Sequence, residues 1–309
     1  MNTALASSAS QRSPAALHAQ TGGAGETVIC LHSSAGSHAQ WRALSGELEG
    51  RCRLVVPDLH GHGRSPAWPL GTASTLQVDA HAASQLIPAS DTGNGPRGVH
   101  LVGHSYGAAV AVQMALRCPR RVLSLTLYEP LPFGMLLASA PDAPASREIK
   151  DIRHSVASLV REGELEAAAR LFVVYWGGAS AWDGMSAAQR VGVLLRIGTV
   201  PCHFEALFQA CWTVDLLRCL TMPVLLLQGS DTRAPARAAT DALAAALGHC
   251  EQMEIAGAGH LGPLTHPDAV NAAIVLHLWR QWAFRGPRRV PAPMAASVEE
   301  SGHVHAAMP

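Results

Sequence analysis

Short apolar runs rich in branched side chains recur along the chain. They lie at residues 27–31 (Thr-Val-Ile-Cys-Leu), 53–57 (Arg-Leu-Val-Val-Pro), 98–102 (Gly-Val-His-Leu-Val), 122–128 and 223–228 (Pro-Val-Leu-Leu-Leu-Gln), with a weaker run at 251–256. Each is bounded by Gly, Pro, Asp or Ser. The runs are continuous rather than alternating, which predicts strands covered on both faces, as in a parallel sheet. Between them, helical patterns fall at about 38–48, 74–88, 106–117, 236–248 and 267–284. This alternation predicts an α/β fold, a mostly parallel central sheet flanked by helices. From residue 131 to 220 the rhythm breaks. Helical patterns at 147–161, 164–175, 185–197 and 203–217 follow one another with no buried strand between them. The stretch is too long for a loop. It predicts a helical cap inserted between two halves of the core, 15–130 and 221–285. Residues 1–14 and 286–309 carry no apolar periodicity and predict loosely ordered tails.

Composition narrows the function classes. The 309 residues carry 23 basic and 23 acidic side chains, a formal charge of zero. No electrostatic footprint for nucleic acid or an anionic membrane is present. Lys150 is the only lysine, which together with the abundant alanine reads as coding bias. The seven cysteines are odd in number, lack a C-x-x-C pair and sit mostly in apolar runs. A reduced, cytoplasmic chain is expected rather than a disulfide framework. No apolar run approaches the roughly 18 residues of a membrane span. The first 20 residues lack the basic start and apolar stretch of a signal peptide. The oligomeric state is not legible.

The run at 98–102 leads into Gly103-His104-Ser105-Tyr106-Gly107, and Ala108-Ala109-Val110 opens a helix. This is G-x-S-x-G in strand–turn–helix context. A serine on so tight a turn needs very small residues two before and two after it. A helix start with a capping serine is the plainer reading of the same residues. A nucleophile also needs a base and a carboxylate to orient it. After the run 223–228 comes Gly229-Ser230-Asp231, and after 251–256 comes Gly257-Ala258-Gly259-His260. Asp231 and His260 therefore emerge at the carboxyl edge of the sheet, where open α/β sheets place ligands. Asp241 and His266 are the rivals. Asp241 falls within a helical pattern, and His266-Pro267 reads as a helix start. Glu129-Pro130, at the exit of run 122–128, reads as a hydrogen-bonding turn rather than a site residue. Chain order Ser105, Asp231, His260 is nucleophile, acid, base.

With these motifs the sequence resembles the α/β-hydrolase superfamily, in its lid-bearing branch, over about residues 15–285. Val55-Val56-Pro57-Asp58-Leu59-His60-Gly61-His62-Gly63-Arg64-Ser65 is similar to that family's P-D-x-x-G-x-G-x-S segment. Leu31-His32-Ser33-Ser34-Ala35-Gly36 aligns with its H-G-x-P-G loop, with Ser33 in place of Gly and Ala35 in place of Pro. The resemblance implies an α/β-hydrolase fold and an oxyanion hole formed by the backbone N–H groups of Ser34 and Tyr106. It implies a serine hydrolase cleaving a small, largely apolar ester or thioester through an acyl-enzyme, with no cofactor and no metal. Carbon–carbon bond hydrolases of the same fold share the triad and stay as an alternative, as does a triad-bearing ligand-binding protein with little turnover. Epoxide hydrolases and haloalkane dehalogenases are disfavoured, because they carry Asp at the nucleophile position.

Two remaining features invite stronger readings. The 16 histidines include His32, His38, His60, His62 and His104 near strand ends, and His303 and His305 near the C-terminus. No H-E-x-x-H or Cys/His finger spacing accompanies them, so a catalytic metal is not expected. Residues 131–220 concentrate Phe172, Tyr175, Trp176, Trp182, Phe204, Phe208 and Trp212 in a chain with 5% aromatics. Packing within the cap is the plainer account, and a pocket above Ser105 the sharper one.

Overall fold

The computed structural model describes residues 16–69, 71–89 and 98–284. The expected tails at 1–14 and 286–309, with His303 and His305, lie outside them. The described residues form a seven-stranded sheet: β1 (Ala19–Gly22), β2 (Thr27–Leu31), β3 (Arg53–Pro57), β4 (Val99–His104), β5 (Val122–Tyr128), β6 (Val224–Gly229) and β7 (Glu251–Ile255). Their spatial order is β1-β3-β2-β4-β5-β6-β7. β1 runs antiparallel to β3, and every other pair is parallel.

The apolar runs explain this arrangement. Along β2, Ile29 and Leu31 enter one core cluster while Val28 and Cys30 enter another. β6 divides the same way, Val224 and Leu226 against Leu225 and Leu227. A strand that alternates between two buried faces must be apolar throughout. Helices α1 (Arg42–Leu48), α2 (Leu76–Ser84) and α3 (Tyr106–Arg117) follow the early strands. Between β5 and β6 come α4 (Phe133–Ser139), α5 (Pro144–Arg161), α6 (Leu165–Gly177), α7 (Ala187–Ile197), α8 (Val200–Phe208) and α9 (Val214–Arg218). After β6 come α10 (Ala234–Leu247), α11 (Gly262–Thr265) and α12 (Pro267–Phe284). Trp41, Leu44 and Leu48, with Val270, Ile274 and Leu278 of α12, fill the cluster on one face. The core residues of α2, α3, α10 and the β5–β6 segment fill the other.

Some elements depart from the pattern read from sequence. β1 is polar (Ala-Gln-Thr-Gly) and exposed, and only its backbone pairing with β3 makes it a strand. The expected helix at 203–217 is two helices, because Thr213 caps a new one by accepting from Leu216 N–H at 3.3 Å. α4 is an additional short helix. Among the described residues no single helix is long and apolar enough to cross a membrane.

Candidate active site

Ser105 sits between β4 and α3 with φ 55° and ψ −119°. A Cβ on Gly103 would lie 2.5 Å from Ala108 Cα, and one on Gly107 2.4 Å from the carbonyl oxygens of Leu31 and His32. The turn therefore excludes any side chain at either position. Ser105 N–H donates to Tyr128 O at 2.9 Å, which extends the β4–β5 ladder by one step and fixes the height of the serine above the sheet.

His260 Nε2 lies 2.9 Å from Ser105 Oγ. The loop carrying it is anchored from beneath. Tyr128 Oη donates to Gly259 O at 2.7 Å, and His104 Nε2 to His260 O at 2.8 Å. Burial, and then the neighbouring His260, hold the His104 pKa well below the ordinary histidine value. Neutral His104 is thus the Nε2–H tautomer, because a carbonyl can only accept. His266, the rival base, is engaged by Thr265 Oγ1 at 2.9 Å instead.

The carboxylate at the histidine is Glu129, not Asp231. His260 Nδ1 pairs with Glu129 Oε2 at 2.6 Å, between a His260 that is 3% exposed and a Glu129 that is fully buried. Gly229 N–H donates to Glu129 Oε1 at 2.9 Å and Thr232 Oγ1 to Oε2 at 2.8 Å, so both oxygens of the carboxylate are engaged. This corrects the expectation of Asp231. That side chain is exposed and accepts from Ser230 Oγ at 2.8 Å. Ser230 Oγ in turn accepts from Gly257 N–H at 2.8 Å, so the pair braces the turn after β7. Asp241 is exposed on α10.

Strand register gives the reason. His104 of β4 is level with Tyr128 of β5, so Ser105 and Glu129, each one residue further on, are level too. Asp231 lies two residues past the end of β6. Glu129 also has φ 44°. Among the described residues the non-glycine positions with left-handed φ are Ala35, Ser105 and Glu129, and all three are here. Strained backbone concentrated at one place marks a functional constraint. The sequence did contain a signal for Glu129. It is a lone carboxylate between Leu125-Thr126-Leu127-Tyr128 and Pro130-Leu131-Pro132-Phe133. A charge buried in such surroundings requires dedicated partners.

The loop after β2 turns back beside the serine. Ser33 N–H donates to Gln40 Oε1 at 3.1 Å, Ala35 N–H to His62 Nε2 at 3.1 Å and Gly36 N–H to Ser33 O at 3.0 Å. Ser34 N–H is given no such acceptor among the described residues. Tyr106 is the first residue of α3, so its N–H has no partner within the helix. Ser33 fits where the resembling family has Gly because its hydroxyl turns to Gln40 Oε1 at 3.0 Å. Ala35 takes the left-handed conformation at φ 56°.

The histidines near strand ends hold loops. His32 Nε2 accepts from Leu59 N–H at 3.0 Å, and burial lowers its pKa to about 4. His60 Nδ1 bonds Asp79 at 2.7 Å, and His38 bonds the buried Asp58 at 2.9 Å. No group of three or more His, Cys, Asp or Glu side chains among the described residues could hold a metal ion.

A small cavity is lined by Ser34, Ser105, Leu131, Phe172, Trp176, Phe204 and Leu207. Trp176 lies over His260, ring centroids 4.1 Å apart. Of the aromatic rings at 131–220, Phe172, Trp176 and Phe204 thus face the serine. Tyr175, Trp182, Phe208 and Trp212 pack or hydrogen-bond elsewhere.

Comparison with known proteins bears on the family and the fold. The Alpha/beta hydrolase family profile matches residues 28–273. A pimeloyl-[acyl-carrier protein] methyl ester esterase of Nitrosomonas europaea is 28% identical over 229 residues, 73% of this chain and 85% of that protein. Lipase LipV of Mycobacterium tuberculosis is 34% identical over 124 residues, 40% of this chain and 42% of that protein. The chain spans less than half the length of three curated relatives that it matches at 34–39% identity, namely 36%, 42% and 37%. A thermophilic esterase from Thermogutta terrifontis superposes with a TM-score of 0.69 at 24% identity, covering 86% of this chain and 93% of that one, a likeness of fold.

Proposed function

The chain belongs to the alpha/beta hydrolase family, and on that premise we propose that it is a serine hydrolase that cleaves a small, largely apolar ester through an acyl-enzyme. The observation that carries this reading is the continuous chain from Ser105 Oγ through His260 to Glu129, at 2.9 and 2.6 Å. Nucleophile, base and orienting carboxylate need that contact order. The esterase and lipase names of its relatives agree with it.

Ser105 Oγ attacks the carbonyl carbon as its proton passes to His260 Nε2. Glu129 holds the ring through Nδ1 and stabilises the imidazolium. The N–H groups of Ser34 and Tyr106 receive the oxyanion, each donor worth about 2.7–4 kcal/mol in comparable sites. The imidazolium then gives its proton to the departing alcohol. Water enters and loses a proton to His260 as it attacks the acyl carbon; the Ser105 Oγ–acyl bond breaks, the acyl group leaves as a carboxylic acid, and the imidazolium returns its proton to Ser105 Oγ. The cavity walls are apolar apart from the two serines, which suits an uncharged acyl chain. The space between these walls is small, which favours a short one.

A fluorophosphonate reagent should label Ser105 in the wild type and not in Ser105→Ala. Hydrolysis of aryl esters should fall with acyl length, and Ser105→Ala should lose roughly 10⁴-fold or more in kcat. Turnover that survives Ser105→Ala sinks this reading.

A further inference from the structure

His203 belongs to α8, in the segment between β5 and β6, and is fully buried. Its ring meets the side chains of both proposed oxyanion donors, which are themselves far apart in sequence. Nδ1 lies 2.9 Å from Ser34 Oγ. The ring stacks on Tyr106 with centroids 3.6 Å apart and planes 5° from parallel. It also stacks on His62, at 4.9 Å and 12°, and His62 Nε2 accepts from Ala35 N–H, the residue after Ser34. Tyr106 is pinned at its far end, where Oη donates to Asp79 Oδ2 at 2.9 Å.

We propose that His203 is a positioning residue for the oxyanion site, through which the helical segment over the sheet fixes Ser34 and Tyr106. The inference rests on the serine hydrolase reading above. Oxyanion stabilisation depends on donors placed about 2.7–3.1 Å from the developing charge, so the side chains of the donor residues must not wander. One cap residue in contact with both of them supplies that constraint only while α8 is seated.

The hydrogen-bond roles follow from the surroundings. Burial and the nearby His62, His32 and His60 hold the His203 pKa well below the ordinary value, so the ring is neutral. Nε2 meets no protein partner among the described residues. A buried N–H without a partner is rarer than a buried lone pair without one, so the proton sits on Nδ1 and is donated to Ser34 Oγ. The hydroxyl proton of Ser34 is then left to point into the cavity that Ser34 lines.

The test compares His203→Phe, His203→Asn, Ser34→Ala and the His203→Phe/Ser34→Ala double variant in the full chain. Phe keeps a ring against Tyr106 and removes Nδ1, whereas Asn keeps a donor and removes the ring. Rates are measured on a short-chain p-nitrophenyl ester and divided by fluorophosphonate-titrated sites, which removes any loss of folded protein. His203→Phe should lower kcat about tenfold or more with KM within about threefold, the pattern of an interaction made in the transition state. Inhibition by a trifluoromethyl ketone, whose hemiketal oxyanion occupies the same place, should weaken by a similar factor. Asn should recover part of the loss, and adding Ser34→Ala to His203→Phe should cost less than about twofold more. A purely structural role would lower the melting temperature and the titrated fraction without moving kcat per site. Unchanged kcat per site in His203→Phe, or losses that multiply in the double variant, overturn the proposal. Turnover that persists in Ser105→Ala is the separate result that removes the underlying reading instead.

Discussion

Glu129 and Asp231 leave the sheet from neighbouring strands, β5 and β6, and both lie close in sequence to a strand end. Their surroundings differ. Glu129 is fully buried, has left-handed backbone and has both carboxylate oxygens engaged by His260, Gly229 and Thr232. Asp231 is exposed, and its side chain accepts from the adjacent Ser230. Burying a carboxylate is costly unless it is paired and hydrogen-bonded, and holding a non-glycine residue at positive φ adds roughly 1–3 kcal/mol. A fold keeps such an arrangement where the group performs a task. An exposed aspartate bracing a turn carries neither cost. The contrast teaches that the strand exit facing the histidine is chosen by register and burial, not by the presence of an acid near the end of a strand.

The sharpest way to break the contrast is to neutralise the buried member. Glu129→Gln keeps the shape and removes the charge. The amide also offers a donor where His260 Nδ1–H needs an acceptor, which favours the wrong tautomer. A loss in kcat on the order of 10⁴-fold is expected, by analogy with the triad aspartate of serine proteases. Steady-state kinetics beside an unfolding curve separates this from collapse of the site. Loss of less than tenfold would return the role to another carboxylate.

Thr232→Val probes the same pocket more gently. It removes one donor from Glu129 Oε2 and leaves Gly229 N–H and His260 in place. A hydrogen bond to a charged group contributes about 1.5–3 kcal/mol, and the carboxylate can recover part of that by tightening on its other partners. The expected outcome is roughly a three- to tenfold drop in kcat with KM little changed, an interaction loss read through the transition state. An equal drop in a Glu129→Gln background would show that Thr232 acts elsewhere.

Much of the fold was legible because its signals are local. β2 and β3 coincide with the apolar runs at 27–31 and 53–57, since a strand buried on both faces carries few polar positions, here Thr27 and Arg53 at the strand starts. Ser105 and His260 were legible for a related reason. The Gly103 and Gly107 contacts leave no room for other residues, and the glycine-rich approach to His260 stands out in any sequence. Polar β1 was not legible, because it is an edge strand that only its backbone pairing with β3 defines. The acid was legible only in part, because the apolar flanks of Glu129 mark it as unusual without giving its role. Two strand exits carry carboxylates, and the choice between them rests on the β4–β5 register and on which loop meets His260. His203 carries no local signal at all. Its partners Ser34 and Tyr106 lie on other elements, far away in the chain.

The smallest effect belongs to the exposed member of the pair, and it completes the comparison. In Asp231→Asn the side-chain oxygen can still accept from Ser230 Oγ, so the brace on the Gly257 turn survives. Surface substitutions of this kind usually shift stability by no more than about 0.5 kcal/mol. Turnover within about threefold of the wild type is expected, since no reacting group touches Asp231. Parallel kinetics with Glu129→Gln makes the pair decisive. The two variants remove the same charge from neighbouring strand ends, so any long-range effect of lost negative charge on the His260 imidazolium would appear in both. A loss confined to Glu129→Gln isolates the direct contact as the cause. A loss confined to Asp231→Asn would mean that the working site rearranges to bring Asp231 to the ring, and would reverse the assignment.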